Sequence, residues 1–215
     1  MADPHGLFQG TAVSIKVVAY LQEGVLGGVI DSPEHLRDLL ESSERLQVTE
    51  STWTPLDGGL PTSPGEATIV MDDLAVAAGD EELPGPVHAA FHAIRLEAGP
   101  YLIRGDMATL PGFDPGRALT RPTGTFVLLS DVKVSLLADA NAGTATHERA
   151  FVNRYSVDRV DADLMLGFFF PGAHMEMPEP PPAPAARVAA ADGPPAPAAP
   201  AAPTAPAADP DAQPA

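Results

Sequence analysis

Apolar and polar residues alternate over short runs through most of the chain, the mark of half-buried strands. Residues 13–20 are rich in β-branched side chains and carry one charge, Lys16. Glu23-Gly24 turns the chain, and residues 25–30 return to complete a hairpin. Gly27-Gly28 would weaken a plain strand, so it predicts a bulge or a close backbone approach. Helical spacing comes next: Leu36, Leu39 and Leu40 fall on one narrow stripe. Ser32 is placed to cap the first turn, Pro33 suits the first helical position, and Glu34 sits near the positive end of the dipole. Such a short helix would plug one end of a small barrel. Residues 45–56 read as a strand, residues 57–65 as a loop of turn formers, and residues 67–71 with 74–77 as a strand interrupted at Asp72-Asp73. Residues 79–86 are acidic, with Pro and Gly, and read as a linker.

The same order then recurs. Residues 89–97, 101–107, 125–138 and 147–160 read as strands, with a single helical turn over 116–119 in place of the helix. Ile15-Lys16-Val17 answers Ile94-Arg95-Leu96, and Val25-Leu26-Gly27-Gly28 answers Leu102-Ile103-Arg104-Gly105. Leu46-Gln47-Val48 answers Phe126-Val127-Leu128, and Val70-Met71-Asp72 answers Phe151-Val152-Asn153. Order more than identity predicts an internal repeat.

The second copy carries Tyr101-Leu102-Ile103-Arg104-Gly105, Leu110-Pro111, Arg117-Ala118-Leu119, a strand from Phe126 to Val134, and Val152-Asn153-Arg154. In these motifs it resembles a family of small bacterial domains of unknown function. That resemblance implies a β-rich fold and no particular chemistry. The family's Asp-x-Leu-Asn is replaced here by Thr120-Arg121-Pro122, and the first copy shows Met71-Asp72-Asp73 where the Val-Asn-Arg would stand.

Charge and composition narrow the function classes. Asp and Glu number 29 against 12 Lys and Arg, a net charge of −17. That balance argues against nucleic acid, whose phosphates need basic side chains, and against anionic membrane surfaces. It is compatible with a basic protein partner. No cysteine is present, which excludes disulfides, thiolate catalysis and zinc-thiolate sites. Residues 1–10 lack the basic and apolar regions of a signal peptide, and the apolar run 164–170 is too short to span a bilayer. The expectation is a soluble, cytoplasmic protein. Residues 176–215 are Ala and Pro with scattered acids, a composition that predicts a disordered tail of polyproline character.

Candidate chemistry is sparse. His88 and His92 lack an acid of matching spacing and read as partly exposed histidines rather than metal ligands. Asp72 and Asp73 are strand neighbours whose carboxylates would point to opposite faces. No nucleophile elbow is present, and residues 23–28 lack the Gly-Lys-Ser/Thr of a phosphate-binding loop. Arg104, Arg117, Arg121 and Arg154 all lie in the second copy, where a phosphate or nucleotide could gather them. Phe168, Phe169 and Phe170 either pack as part of a last strand or form a partner-docking patch, and packing is preferred because three exposed phenylalanines invite aggregation.

The sequence therefore predicts a mostly β protein with one or two short helices. It consists of two tandem barrel-like or half-barrel repeats forming a pseudo-dimer, followed by the disordered tail. The expected division is a flexible lead-in (1–10), repeat one (11–80), a linker (81–87), repeat two (88–175) and the tail (176–215). The expected function is a non-enzymatic interaction or scaffold module without metal or cofactor. Its partner would be a protein, not nucleic acid or membrane, and a homo-oligomer is compatible. The alternative is a sensor of a small anion or nucleotide that uses the second-copy arginines.

Overall fold

The computed structural model describes residues 12–82, 88–112, 124–139, 143–163, 166 and 169–176, and eleven strands among them pair into one sheet. The first half supplies β1 (Val13–Leu21), β2 (Gly24–Ser32), the helix α1 (Leu36–Ser42), β3 (Arg45–Pro55), β4 (Thr62–Val70) and β5 (Leu74–Gly79). A single 3-10 turn, Met71–Asp73, separates β4 from β5. The second half supplies β6 (Ala90–Ala98), β7 (Tyr101–Thr109), β8 (Phe126–Leu136), β9 (Ala145–Asn153) and β10 (Val157–Ala162), and the short β11 (His174–Glu176) follows. Across the sheet the order is β11-β10-β6-β7-β8-β9-β5-β1-β2-β3-β4. The mostly β reading holds, but the strands form one open sheet rather than barrel-like units closed on themselves.

Both halves use the same connectivity: β5-β1-β2-β3-β4 is matched by β10-β6-β7-β8-β9. Irregularities match as well. Ala75 is the extra residue where β5 meets β1, and Asp158 is the extra residue where β10 meets β6. Register also shifts at Gly28 between β2 and β3, and at Gly105 between β7 and β8. Opposite those glycines, Glu50 and Asp131 adopt positive φ of 50° and 51°, the backbone that a bulge demands. Met71 N–H donates to Glu44 O, and Arg154 N–H makes the corresponding bond to Thr125 O.

Where the halves meet, the sheet is buried on both faces. All five residues from Leu74 to Ala78 are buried, as are Ala150, Phe151, Val152 and Asn153 on β9. Successive strand residues point to opposite faces, so these strands serve two cores at once. One core joins Tyr20, Val76 and Ala78 of the first half to Ile103, Leu129, Val134 and Val152 of the second. The other joins Ile15, Val17, Leu36 and Val48 to Phe126 and Phe151. Each half thus lends side chains to the other's core.

Several local expectations are corrected. Helix α1 starts at Leu36, with His35 at its N-cap, instead of at Pro33. Ser32 still belongs to β2, and its hydroxyl accepts the Glu34 N–H at 3.0 Å. The first-turn donor of α1 is met from far away: Leu36 N–H donates to Glu81 Oε2 at 3.0 Å, while His35 pairs with the same carboxylate. Residues read as a linker therefore hold the helix, and Asp80 likewise accepts the Lys16 N–H at 2.8 Å. The single strand expected over 147–160 is two strands, β9 and β10, reversed at Arg154 to Ser156. The last strand is β11 and not the Phe run: Leu166 O accepts the N–H groups of Phe169 and Phe170 in a turn. The lead-in, the helical turn over 116–119 and residues 177–215 of the tail lie outside the described residues, while Glu176, expected to open the tail, belongs to β11.

The two adjacent glycines of β2 differ in what surrounds them. A Cβ on Gly28 would stand 2.7 Å from Thr49 O, whereas one on Gly27 would meet nothing within 4 Å. Gly28→Ala is expected to lower the unfolding free energy by about 1–3 kcal/mol through overpacking. Gly27→Ala should stay within about 0.5 kcal/mol of wild type. Paired urea titrations check the contrast.

Candidate binding groove between the two halves

Helix α1 and the β9–β10 turn flank a groove of about 1000 Å³. Its construction begins with Glu41, which projects from α1 to the start of β8. Thr125 N–H donates to both Glu41 oxygens, at 3.0 and 2.7 Å, and Phe126 N–H donates to Oε1 at 3.0 Å. A carboxylate accepting several N–H bonds at once makes a strong clamp. The opposite wall is the turn from Asn153 to Ser156. Asn153 Nδ2 donates to Leu74 O at 3.0 Å, its Oδ1 accepts the Tyr155 N–H, and Ser156 Oγ donates to Asn153 O at 2.8 Å. This folded turn pushes Tyr155 outward until it is 64% exposed.

The groove lining is acidic. Glu41, Glu44, Asp72 and Asp158 face it, with Arg45 as the one basic side chain among its lining residues. Glu41 is spent on backbone N–H groups, and Asp158 Oδ2 accepts the Gly99 N–H at 3.1 Å. The side-chain carboxylates of Glu44 and Asp72 have no hydrogen-bond or ion-pair partner among the described residues. Asp72 and Asp73 occupy the 3-10 turn instead of a strand; Asp72 lines this groove, whereas Asp73 lines a different pocket.

The arginines expected to gather do not form one site among the described residues. Arg154 is 2% exposed, bound through Nη1 to Gly124 O at 3.4 Å and stacked 5.5 Å from the Tyr155 ring centroid. Arg104 lies mid-strand on β7, opposite Arg95 on β6 and Lys133 on β8. Lys133 lies seven positions along β8 from Phe126, the partner of Asn153, so Arg104 and Arg154 stand ~20 Å apart along the sheet. Arg117, Arg121 and Phe168 lie outside the described residues. Phe170 is fully buried in the second-half core and Phe169 packs against that core, so Phe170 anchors the fold and offers no docking surface. His92 Nε2 contacts Thr109 Oγ1 at 3.0 Å, and His88 precedes β6.

A cluster that sequence reasoning missed joins the halves. The Tyr20 hydroxyl lies 2.6 Å from His147 Nε2, and Tyr101 stands edge-on to Tyr20 at 5.3 Å. Tyr101 OH donates to Leu21 O at 2.7 Å. Burial pushes Tyr20 up to about 12, raises Tyr101 and lowers His147. Neutral His147 therefore accepts a hydrogen bond at Nε2 from the Tyr20 hydroxyl, which keeps its proton. A phenol held this firmly protonated is no nucleophile at neutral pH, so the cluster is a clamp between β1 and β9. Its partners are 127 residues apart, and no spacing motif could reveal them.

No protein-family model, curated protein or solved structure matches this chain. No helix among the described residues is long and apolar enough to cross a membrane.

The clamp has a pH signature. Folded His147 resists protonation, while an unfolded histidine takes a proton near pH ~6.5. Its contribution is complete above that pH and is lost as pH falls below it toward the lower folded value. His147→Gln keeps an acceptor for Tyr20 but cannot titrate. Denaturant unfolding in mildly acidic and neutral buffers should show wild type losing more stability on acidification than His147→Gln.

Proposed function

We propose that this protein is a non-enzymatic interaction module that receives a basic segment of a partner protein in the groove between its halves. The observation that carries this reading is the pair of unpartnered carboxylates, Glu44 and Asp72, in a groove of about 1000 Å³. Tyr155, 64% exposed on another wall of the same groove, adds an aromatic face suited to a Lys or Arg side chain. The excess of 29 acidic over 12 basic residues speeds the approach of a cationic partner. The Glu41 clamp and the Asn153 turn hold both walls in place before binding, which limits the ordering penalty.

A second reading, an anion sensor, draws on a different surface. Arg95, Arg104 and Lys133 stand directly opposite one another across three neighbouring strands. Like charges so placed destabilise a sheet unless an anion relieves them. Arg95 has Glu97 at 3.1 Å, whereas Arg104 and Lys133 have no acidic partner among the described residues.

Calorimetric titration separates the two. An oligolysine peptide should bind wild type, and Glu44→Gln/Asp72→Asn should weaken it about tenfold or more, ~1.4 kcal/mol. Inorganic pyrophosphate should produce no heat. Pyrophosphate binding that Arg104→Ala abolishes, together with no response to oligolysine, would overturn the interaction reading in favour of the sensor.

A further inference from the structure

The junction between the halves pairs β9 with β5, through Val152 opposite Val76 and Phe151 opposite Ala77. In the shared connectivity, β5 corresponds to β10 and β9 corresponds to β4. Those counterparts, β10 and β4, are not paired with each other. They lie toward the two opposite ends of the sheet. The chain therefore carries both sides of its own internal junction a second time, β4 at one end of the sheet and β10 next to the other.

The correspondence extends to single residues. Val76 and Ala77 are the first two residues after the extra residue Ala75 of β5, and Arg159 and Val160 are the first two after Asp158 of β10. On the other side, Val70 stands opposite Arg45 as Asn153 stands opposite Phe126. Ile69 and Thr68 thus hold the places of Val152 and Phe151. The β4 edge is protected at its start by Pro64, Gly65 and Glu66, residues that discourage strand addition. From Ala67 to Val70 that protection is missing.

The receiving edge of β10 is occupied by β11. His174, Met175 and Glu176 pair in parallel with Arg159, Val160 and Asp161, covering the positions where β5 receives β9. Glu176 also forms an ion pair with Arg159. Three residues in parallel pairing make a weak ladder, weaker per residue than the antiparallel one. Leu166 and Phe170, both fully buried, tether the segment and keep β11 at high local concentration.

We infer that Ala67 to Val70 of β4 is a docking edge for β10 of a second copy of this chain, and that β11 is an intramolecular cap on that receiving edge. Pairing of β4 with β10 would repeat the β9–β5 register, with Ile69 opposite Arg159 and Thr68 opposite Val160. The contact is head-to-tail, so each added copy presents a fresh edge, and assembly grows as an open sheet until a capped copy ends it.

The experiment uses the full chain with His174→Pro/Met175→Pro, adjacent prolines that remove a ladder N–H whichever of the two faces β10. Light scattering coupled to size exclusion should show an average mass that rises with concentration, while wild type holds a constant mass. Adding Thr68→Lys to that variant should return it to the wild-type mass. Excess wild-type chain should shorten the assemblies, because it can donate β4 but its own β10 is capped. Glu176→Lys, which reverses the Arg159 ion pair without proline, should move the mass in the same direction by less. The inference is overturned if both cap variants keep the wild-type mass at every concentration. Growth that neither Thr68→Lys nor wild-type chain reduces overturns it equally.

Discussion

Everything in this fold depends on a strand that is apolar on both faces. Leu74-Ala75-Val76-Ala77-Ala78 reads as a continuous hydrophobic run, the pattern of a strand with packing on each side. Its small side chains let β1 and β9 sit on either edge while two cores form above and below. Tyr20 reaches one core from β1, whose Val17 and Ala19 serve the other. Phe151 of β9 crosses into the first-half core between Ala150 and Val152, which serve the second. The groove follows from this junction. Because β9 lies beside β5, the turn after β9 comes to face α1 and the turn before β5.

Local chemistry made the strands legible. β-branched alternation in residues 13–20 and the Gly27-Gly28 pair act over a few residues and appear as read, whereas the turn expected at Glu23-Gly24 falls one residue earlier, at Gln22-Glu23, with Gly24 already in β2. The breaks were less visible: residues 147–160 divide into β9 and β10, β4 begins at Thr62 inside the expected loop, and the strand read as interrupted at Asp72-Asp73 is two strands, β4 and β5, with different partners. What escaped was set by distance in sequence. The cap of α1 comes from Glu81, 45 residues beyond Leu36, so Ser32 and Pro33 gave a plausible but false start. Barrel closure failed because short strands with turns do not state which edges meet, and here β9 meets β5 instead of each half closing on itself.

The candidate site was less legible than the fold. Asp72 stands out in the sequence only for its neighbour Asp73; β3–β4 pairing within the first half sets it near Glu44, and the junction adds the turn that carries Tyr155 to the same groove. Arg154 drew attention as a positive charge, but burial and its bond to Gly124 make it a brace for the Tyr155 turn. Phe170 follows the same logic: an apolar run reads alike whether it packs or docks, and here it packs. Exposure, not residue type, separates the two roles.

The central claim is that shared cores make both halves one cooperative unit, and the single tryptophan offers a direct test. Trp53 lies on β3 of the first half, while Ile103 is fully buried in the second-half core. Ile103→Ala should cost about 2–5 kcal/mol. Urea unfolding of this variant, followed by Trp53 fluorescence and by far-ultraviolet circular dichroism, is predicted to give one coincident transition displaced from wild type in both signals. A Trp53 midpoint left at the wild-type value, with a separate earlier step in the dichroism, would contradict the account.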